Sequence, residues 1–160
     1  MSFLLVGVSH SFAQRVASDV DPIREYAVGL ELFQKQKYGQ AQERFTRALE
    51  HPRALPSIQQ ENAFYYQAAS ALELFNMDGE PLMVSFIATH PEHPMVNMAN
   101  FQLGTYYFTK KNYKSVLSQF EMVDETKLEQ QYLEEYYFKK GYSHFQQEEY
   151  DKSKEALSHV

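Results

Sequence analysis

The sequence contains no cysteine and no tryptophan among its 160 residues, and its basic residues are few and scattered. Without cysteine, a disulfide framework, a thiolate metal site and a cysteine nucleophile are all excluded. The formal net charge is −6, and the longest basic runs are the pairs Lys110-Lys111 and Lys139-Lys140. Because nucleic-acid-binding domains concentrate basic residues on one surface, the sequence predicts no nucleic-acid partner.

An apolar stretch of the roughly 20 residues needed to span a bilayer is also absent, so no integral membrane span is expected. The short apolar run Phe3–Val8 is followed by Ser11 and Ala13, which have the spacing of a signal-peptidase site before Gln14. No basic residue precedes the run. We therefore expect residues 1–20 to be a truncated signal peptide and leader of an exported bacterial protein, periplasmic or envelope-associated. The alternatives are an apolar segment that packs on the domain, and a cytoplasmic location.

The motifs of common catalytic sites are missing. No glycine-rich phosphate loop, G-x-S-x-G elbow or H-E-x-x-H motif occurs. His90 and His93 flank Glu92, but they lie in a proline-containing segment that favours a loop, and the sequence places no third ligand near them. We therefore predict a protein that is not an enzyme, with no catalytic residues, no metal and no cofactor.

The rest of the chain follows the 3.6-residue period of amphipathic helices. Asp21 followed by Pro22 is typical of a helix start, and Ser57 with Gln60 has the spacing of a capping box. Prolines and short polar turns separate eight predicted helices. They lie at about 22–36, 41–49, 57–75, 82–89, 95–110, 113–123, 128–147 and from 150 onward.

Three stretches of the chain are similar to one another. Residues 28–49, 103–123 and 140–160 align without gaps over most of their length. In each stretch a glycine is followed by an aromatic residue after four positions, a tyrosine after nine and a large apolar residue after sixteen. The glycines are Gly29, Gly104 and Gly141, the tyrosines Tyr38, Tyr113 and Tyr150, and the apolar residues Phe45, Phe120 and Leu157. The first glycine gap is about twice the second, so one divergent unit lies between residues 57 and 94.

This pattern resembles the tetratricopeptide repeat, a helical hairpin with a small residue where its two helices cross. The resemblance covers about residues 21–160 and implies an all-α fold: a right-handed α-solenoid of about four antiparallel helix-turn-helix repeats. The implied repeats span about 22–55, 57–94, 95–127 and 128–160. We expect Gly29 to meet Ala41 at the first crossing, with Phe45 beside it. In the second repeat, either Ala69 or Ala71 takes the place of the glycine.

The resemblance also implies a concave face lined by the first helix of each repeat. The positions that face this groove in the family carry mostly aromatic, uncharged residues here. The candidate peptide-binding residues are Tyr26, Leu30, Phe33, Tyr66, Phe101, Thr105, Phe108, Phe138, Tyr142 and Phe145. The Lys and Asn residues with which some members clamp a terminal carboxylate are absent.

We therefore expect a non-catalytic protein–protein interaction scaffold that binds a partner peptide or helix in an aromatic-lined groove. One alternative is a purely structural or self-assembling segment of a larger solenoid; another is that these aromatics belong to the core or are covered by the N-terminal segment. The last predicted hairpin stops about one turn early, as in an N-terminal fragment of a longer bacterial repeat protein. We expect its uncapped edge, on helices 128–147 and 150–160, to be apolar and to support a homo-oligomer.

Overall fold

The structure, a computed structural model, describes residues 21–160. The leader expected at residues 1–20 lies outside this range. Within the described residues there are eight α-helices, two short 3₁₀ turns and no strand. The helices are α1 (Pro22–Gln34), α2 (Tyr38–Glu50), α3 (Ser57–Glu73), α4 (Gly79–Thr89), α5 (Val96–Thr109), α6 (Tyr113–Phe120), α7 (Gln130–Gln146) and α8 (Tyr150–Leu157).

The helices pair as four consecutive hairpins, α1–α2, α3–α4, α5–α6 and α7–α8. The second helix of each hairpin also packs against the first helix of the next one, and the first helices α1, α3, α5 and α7 contact one another in series. Neighbour-to-neighbour packing of this kind is that of a helical solenoid. The predicted all-α fold of about four antiparallel hairpins is confirmed. No helix among residues 21–160 is both long enough and apolar enough to cross a bilayer.

Three apolar clusters follow one another along the stack. The first joins α1, α2 and α3 around Tyr26 and Phe45, and the second joins α3, α4 and α5 around Met83 and Phe86. The third joins α5, α6 and α7 around Phe120. Each cluster ties one hairpin to the first helix of the next, so burial of apolar surface holds the stack together along its length.

Of the two helix caps predicted from the sequence, one is present in the structure and the other is not. At α1 the prediction is confirmed, because the Asp21 carboxylate accepts a 3.0 Å hydrogen bond from the backbone N–H of Ile23. The capping box predicted at α3 is wrong. Ser57 lies inside the helix and caps no backbone N–H, while the side-chain amide of Gln60 donates to the carbonyl of Leu55 at 2.8 Å.

All four first helices end in the same turn. A residue in the left-handed conformation follows each helix, and the next amide bonds back to a carbonyl in the last turn, which is a Schellman motif. The left-handed residues are Gln36, Phe75, Lys111 and Glu148, with φ of 57°, 55°, 58° and 62°. None is glycine, so each turn carries a conformational cost of about 1–2 kcal/mol.

This turn settles the register of the second hairpin. In the other three hairpins the left-handed residue follows the glycine of the repeated pattern by seven positions. In the second hairpin, the residue seven positions before Phe75 is Ala68. Ala68, which is completely buried, therefore takes the place of the glycine, and the assignment to Ala69 or Ala71 is wrong. The sequence comparison missed this register because the turn of the second hairpin is longer. The helix α4 starts four residues after the left-handed residue, whereas α2, α6 and α8 start two residues after it.

The glycines of the pattern each make room for the large apolar residue sixteen positions later. A β-carbon added to Gly29 would lie 2.7 Å from Cε1 of Phe45 and 2.9 Å from its Cζ, and one added to Gly141 would lie 2.6 Å from Cγ of Leu157. The same holds for Gly104 and Phe120. The atoms nearest to Gly29 at the first crossing belong to the ring of Phe45, the residue expected beside that contact, and Ala41 is fully buried in the same cluster.

Candidate binding groove

Side chains from all four first helices converge on one cavity of about 270 Å³, which we call the four-helix cavity. Its largest wall is a single face of α5, whose lining residues recur at helical spacing, as the 3.6-residue period requires. The other walls come from α1, α3 and α7, the first residue of α2 and the left-handed residue after α3. The cavity is lined by Phe33, Tyr38, Leu72, Glu73, Phe75, Met98, Phe101, Gln102, Thr105, Tyr106, Thr109, Tyr132 and Glu135.

Two polar side chains on the α5 wall differ in their hydrogen bonding. The Gln102 side-chain oxygen accepts a 2.8 Å hydrogen bond from the Tyr65 hydroxyl, and burial raises the pKa of Tyr65. This bond fixes the orientation of the Gln102 amide group. The hydroxyl of Thr105 is buried and has no hydrogen-bond partner among the described residues. Buried polar groups are nearly always paired, so this unpaired hydroxyl is unusual, but its oxygen has almost no accessible surface and does not face the open space of the cavity.

Two charged side chains of the described residues line the cavity, and both are acidic: Glu73 and Glu135. Glu135 forms an ion pair with Lys139 one turn along α7. No such pair involves Glu73 within the part of the chain that the structure describes. The Glu73 side chain reaches solvent, but the surrounding wall displaces enough water to raise its pKa; repulsion by Glu135 adds to the rise, and Lys139 opposes it.

Lysine side chains already lie over aromatic rings at the edges of the cavity. The Nζ atom of Lys110 lies 5.3 Å from the ring centre of Tyr106 and 5.9 Å from that of Phe75. Lys139 lies 5.5 Å from the ring centre of Phe108. These distances are within the range of cation–π attraction, so the rings of this region present faces that bind cations.

The cavity contains three of the predicted groove residues, Phe33, Phe101 and Thr105, but not all of them as exposed surface. Phe101 is only 3% exposed, and its ring stacks on Phe120 with centres 6.0 Å apart. It forms the floor of the cavity rather than a surface open to a partner. Phe33 is half-buried and packs edge-on against Tyr38 at 5.3 Å.

Three other predicted groove residues belong to the first apolar cluster. Tyr26 is buried, and its ring contacts Phe45 at 6.1 Å between centres. Tyr66 stacks on the Phe45 ring with centres 5.5 Å apart, and Leu30 packs against the same cluster. Tyr26 is therefore a core residue, while Leu30 and Tyr66 are half-buried and also help to hold α1, α2 and α3 together.

Phe108, Phe138 and Tyr142 form a second surface together with Tyr113, and we call these four residues the aromatic patch. The ring centres of Phe108 and Tyr142 are 5.6 Å apart, and Tyr113 lies 5.7 Å from Tyr142. Phe138 is 46% exposed and lies 6.2 Å from Tyr142. Phe145 is separate: it is exposed and packs against Tyr150 at the next turn.

Lys139 links the aromatic patch to the four-helix cavity. Its ammonium group pairs with Glu135, which lines the cavity, and lies over the ring of Phe108, which belongs to the patch. The cavity and the patch are therefore neighbouring parts of one surface, formed mainly by first helices. We refer to this combined surface as the groove.

Sequence reasoning did not include Glu73, Phe75 or Gln102 among the candidate groove residues. Gln102 lies four residues after Met98 and three before Thr105 on the α5 wall, so the helical period could have placed it on the groove face. Phe75 offered no such signal, because a left-handed turn is ordinarily marked by glycine or asparagine. Tyr38, the first tyrosine of the repeated pattern, begins α2 and also lines the cavity.

His90 and His93 lie in a turn between α4 and α5, as the sequence predicted. His93 is buried against Phe86, and its Nδ1 accepts a 3.2 Å hydrogen bond from the N–H of Met95. Its Nε2 lies 3.9 Å from a carboxylate oxygen of Glu61 and has no hydrogen-bond partner among the residues that the structure describes. Within residues 21–160, no cluster of three or more potential ligands is arranged to hold a metal ion.

Comparison with known proteins adds no assignment: no protein-family model, no curated protein and no solved structure matches the chain. The groove is therefore interpreted from its own residues.

Proposed function

We propose that the chain is a non-catalytic scaffold of the tetratricopeptide type that binds an extended segment of a partner protein in the groove. The observation that carries this proposal is the four-helix cavity, to which every hairpin contributes side chains. Its aromatic lining provides apolar contact, and the exposed Glu73 carboxylate provides a hydrogen-bonding group. The repeated small-residue crossing and the repeated Schellman turn support the tetratricopeptide assignment.

A protein segment suits the groove better than a small molecule does. At about 270 Å³, the four-helix cavity lies near the lower end of the roughly 300–1,000 Å³ range of sites for drug-sized ligands. It holds one or two side chains, while the adjoining aromatic patch extends the contact surface for the residues that follow. Exposed aromatic surface of this kind is typical of protein interaction sites.

The proposal is tested by selecting binders from a randomised peptide library on the folded chain and measuring their affinity by fluorescence polarisation. Phe75→Ala and Phe138→Ala each remove a half-exposed ring from the groove, and we expect each to weaken the selected peptides about tenfold. Met77→Ala is the matched control, because Met77 is exposed in the same turn as Phe75 but does not line the cavity. Peptides that bind both ring variants as tightly as the original chain refute the groove as the site.

Self-assembly is the second candidate function, and it is supported by apolar exposure on the last hairpin. Phe145, Tyr150 and Leu157 are 53%, 60% and 41% exposed. Sedimentation velocity over a wide concentration range tests it: association that Phe145→Ser and Tyr150→Ser abolish supports it, and a monomer at all concentrations refutes it. Export to the periplasm or envelope also stays a proposal, since its sequence signal lies in residues 1–20.

A further inference from the structure

The charges that face the four-helix cavity are unbalanced. Among residues 21–160, its lining carries the carboxylates of Glu73 and Glu135 and no lysine, arginine or histidine. Lys139 compensates Glu135, and Lys110 lies over the outer rings of Phe75 and Tyr106, but neither forms an ion pair with Glu73. Within the described part of the chain, one carboxylate at the mouth of the cavity is therefore left without a basic partner.

The Glu73 carboxylate is an acceptor that reaches solvent at the mouth of the cavity. An incoming group that donates several hydrogen bonds binds both of its oxygens at once. Anionic groups are disfavoured, because they would face two carboxylates.

The aromatic walls favour the same kind of ligand. Phe75 and Tyr106 stack with ring centres 5.9 Å apart, and Lys110 shows that a cation approaches both of them. A guanidinium group is planar, donates five N–H groups and stacks on aromatic faces, whereas an ammonium group is a compact and more strongly hydrated charge.

We infer that the four-helix cavity receives a positively charged side chain of the partner segment, arginine in preference to lysine. This inference rests on the proposed function of the same groove and names the chemistry of its occupant. In the bound state the guanidinium lies against the aromatic lining of the cavity and donates to the Glu73 carboxylate.

The probe for this inference is Nα-acetyl-arginine amide, titrated into the folded chain at low ionic strength and followed by the NMR signals of the Gln102 and Thr105 amides. Nα-acetyl-citrulline amide has nearly the same shape without the charge and is the matched control ligand. We expect saturable shifts with the arginine amide and at least fivefold weaker binding of the citrulline amide. The lysine amide is expected to bind between the two.

Glu73→Gln removes the unpaired carboxylate and is expected to weaken the arginine amide about fivefold. Glu134→Gln makes the same change of charge on an exposed position of α7 outside the cavity, and we expect it to leave the affinity unchanged. Thermal unfolding of both variants checks that the fold is intact.

Three results overturn the inference: equal binding of the arginine and citrulline amides, no effect of Glu73→Gln, or no saturable shift up to about 50 mM, far above the millimolar Kd expected of one side chain. Each leaves the proposed function intact if library peptides still bind with the expected sensitivity to Phe75→Ala. If no library peptide binds, the proposed function fails, and the inference fails with it.

Discussion

The crossing of α1 and α2 allows a direct test of why Gly29 occurs inside a helix. In an exposed helix position, replacing glycine by alanine stabilises the fold by about 0.5–1 kcal/mol, because alanine has the higher helix propensity. Gly39 meets this condition, since a β-carbon added there contacts nothing within 4 Å. At Gly29 the added carbon would lie 2.7 Å from Phe45, which real side chains do not tolerate.

The Phe45 ring has no room to move away from an added methyl group. It is fully buried, Tyr26 packs against it edge-on, and Tyr66 stacks on it. Inserting a carbon into a packed core of this kind costs about 1–3 kcal/mol, which exceeds the gain in helix propensity. We expect Gly29→Ala to destabilise the chain by about 1 kcal/mol and Gly39→Ala to stabilise it by up to 1 kcal/mol.

Urea unfolding followed by far-UV circular dichroism measures both changes in the free energy of unfolding. A double-mutant cycle with Phe45→Leu adds a second readout, because the smaller side chain makes room for the alanine. We expect Gly29→Ala to cost less in the Phe45→Leu background than in the original chain. The reasoning is refuted if Gly29→Ala stabilises the protein as much as Gly39→Ala does. Gly29→Leu, with its bulkier side chain, is expected to open or unfold the first hairpin.

Three further predictions follow from single positions. Thr105→Val removes a buried hydroxyl without a partner and is expected to raise the free energy of unfolding by about 1 kcal/mol, measured by urea denaturation. Lys111→Gly relieves the left-handed conformation and is expected to stabilise by about 0.5–1 kcal/mol in thermal unfolding, whereas Lys110→Gly, at an ordinary φ of −78°, destabilises. Burial lowers the pKa of His93, with His90 adding to the effect and Glu61 opposing it, so the unfolded chain binds a proton that the folded chain does not. Stability is therefore complete above about pH 6.5 and declines as the pH falls below that value, which urea unfolding at a series of pH values measures.

Each of these predictions has a matched comparison. Thr109→Val removes an exposed hydroxyl and is expected to give no gain, so an equal gain at both threonines contradicts the argument from burial. If Lys111→Gly and Lys110→Gly change the melting temperature equally, the left-handed turn is not the cause. His93→Gln removes the titrating ring, and an unchanged loss of stability between about pH 7 and 5 in that variant excludes His93 as its source.

The number of helices and the positions of most crossings could be predicted from the sequence, because helical periodicity and a repeated glycine are local signals. The register of the second hairpin could not. Its left-handed turn residue is Phe75, its small crossing residue is Ala68, and neither type stands out among neighbouring aromatics and alanines. A turn two residues longer then shifts every later position of that hairpin relative to the other three.

The sequence predicted less well which aromatic residues belong to the core and which line the groove. With Ala68 as the small residue of the second hairpin, all four hairpins can be compared position by position, and the comparison shows why. Three positions before the small residue of each hairpin lies an aromatic residue on the same helical face, which points at the crossing. In the first three hairpins this residue is buried against the large side chain of the second helix: Tyr26 on Phe45, Tyr65 on Phe86 and Phe101 on Phe120, with ring centres 6.1, 5.5 and 6.0 Å apart.

The fourth hairpin breaks this rule and thereby produces exposed aromatic surface. Its crossing side chain is Leu157, and the equivalent aromatic residue, Phe138, is 46% exposed and contacts Phe108 and Tyr142 instead. The same sequence position is thus structural in three hairpins and part of the aromatic patch in the fourth. A variant that tests binding must therefore change Phe138, since Phe101→Glu would place a charge in the core and unfold the chain before any partner could be measured.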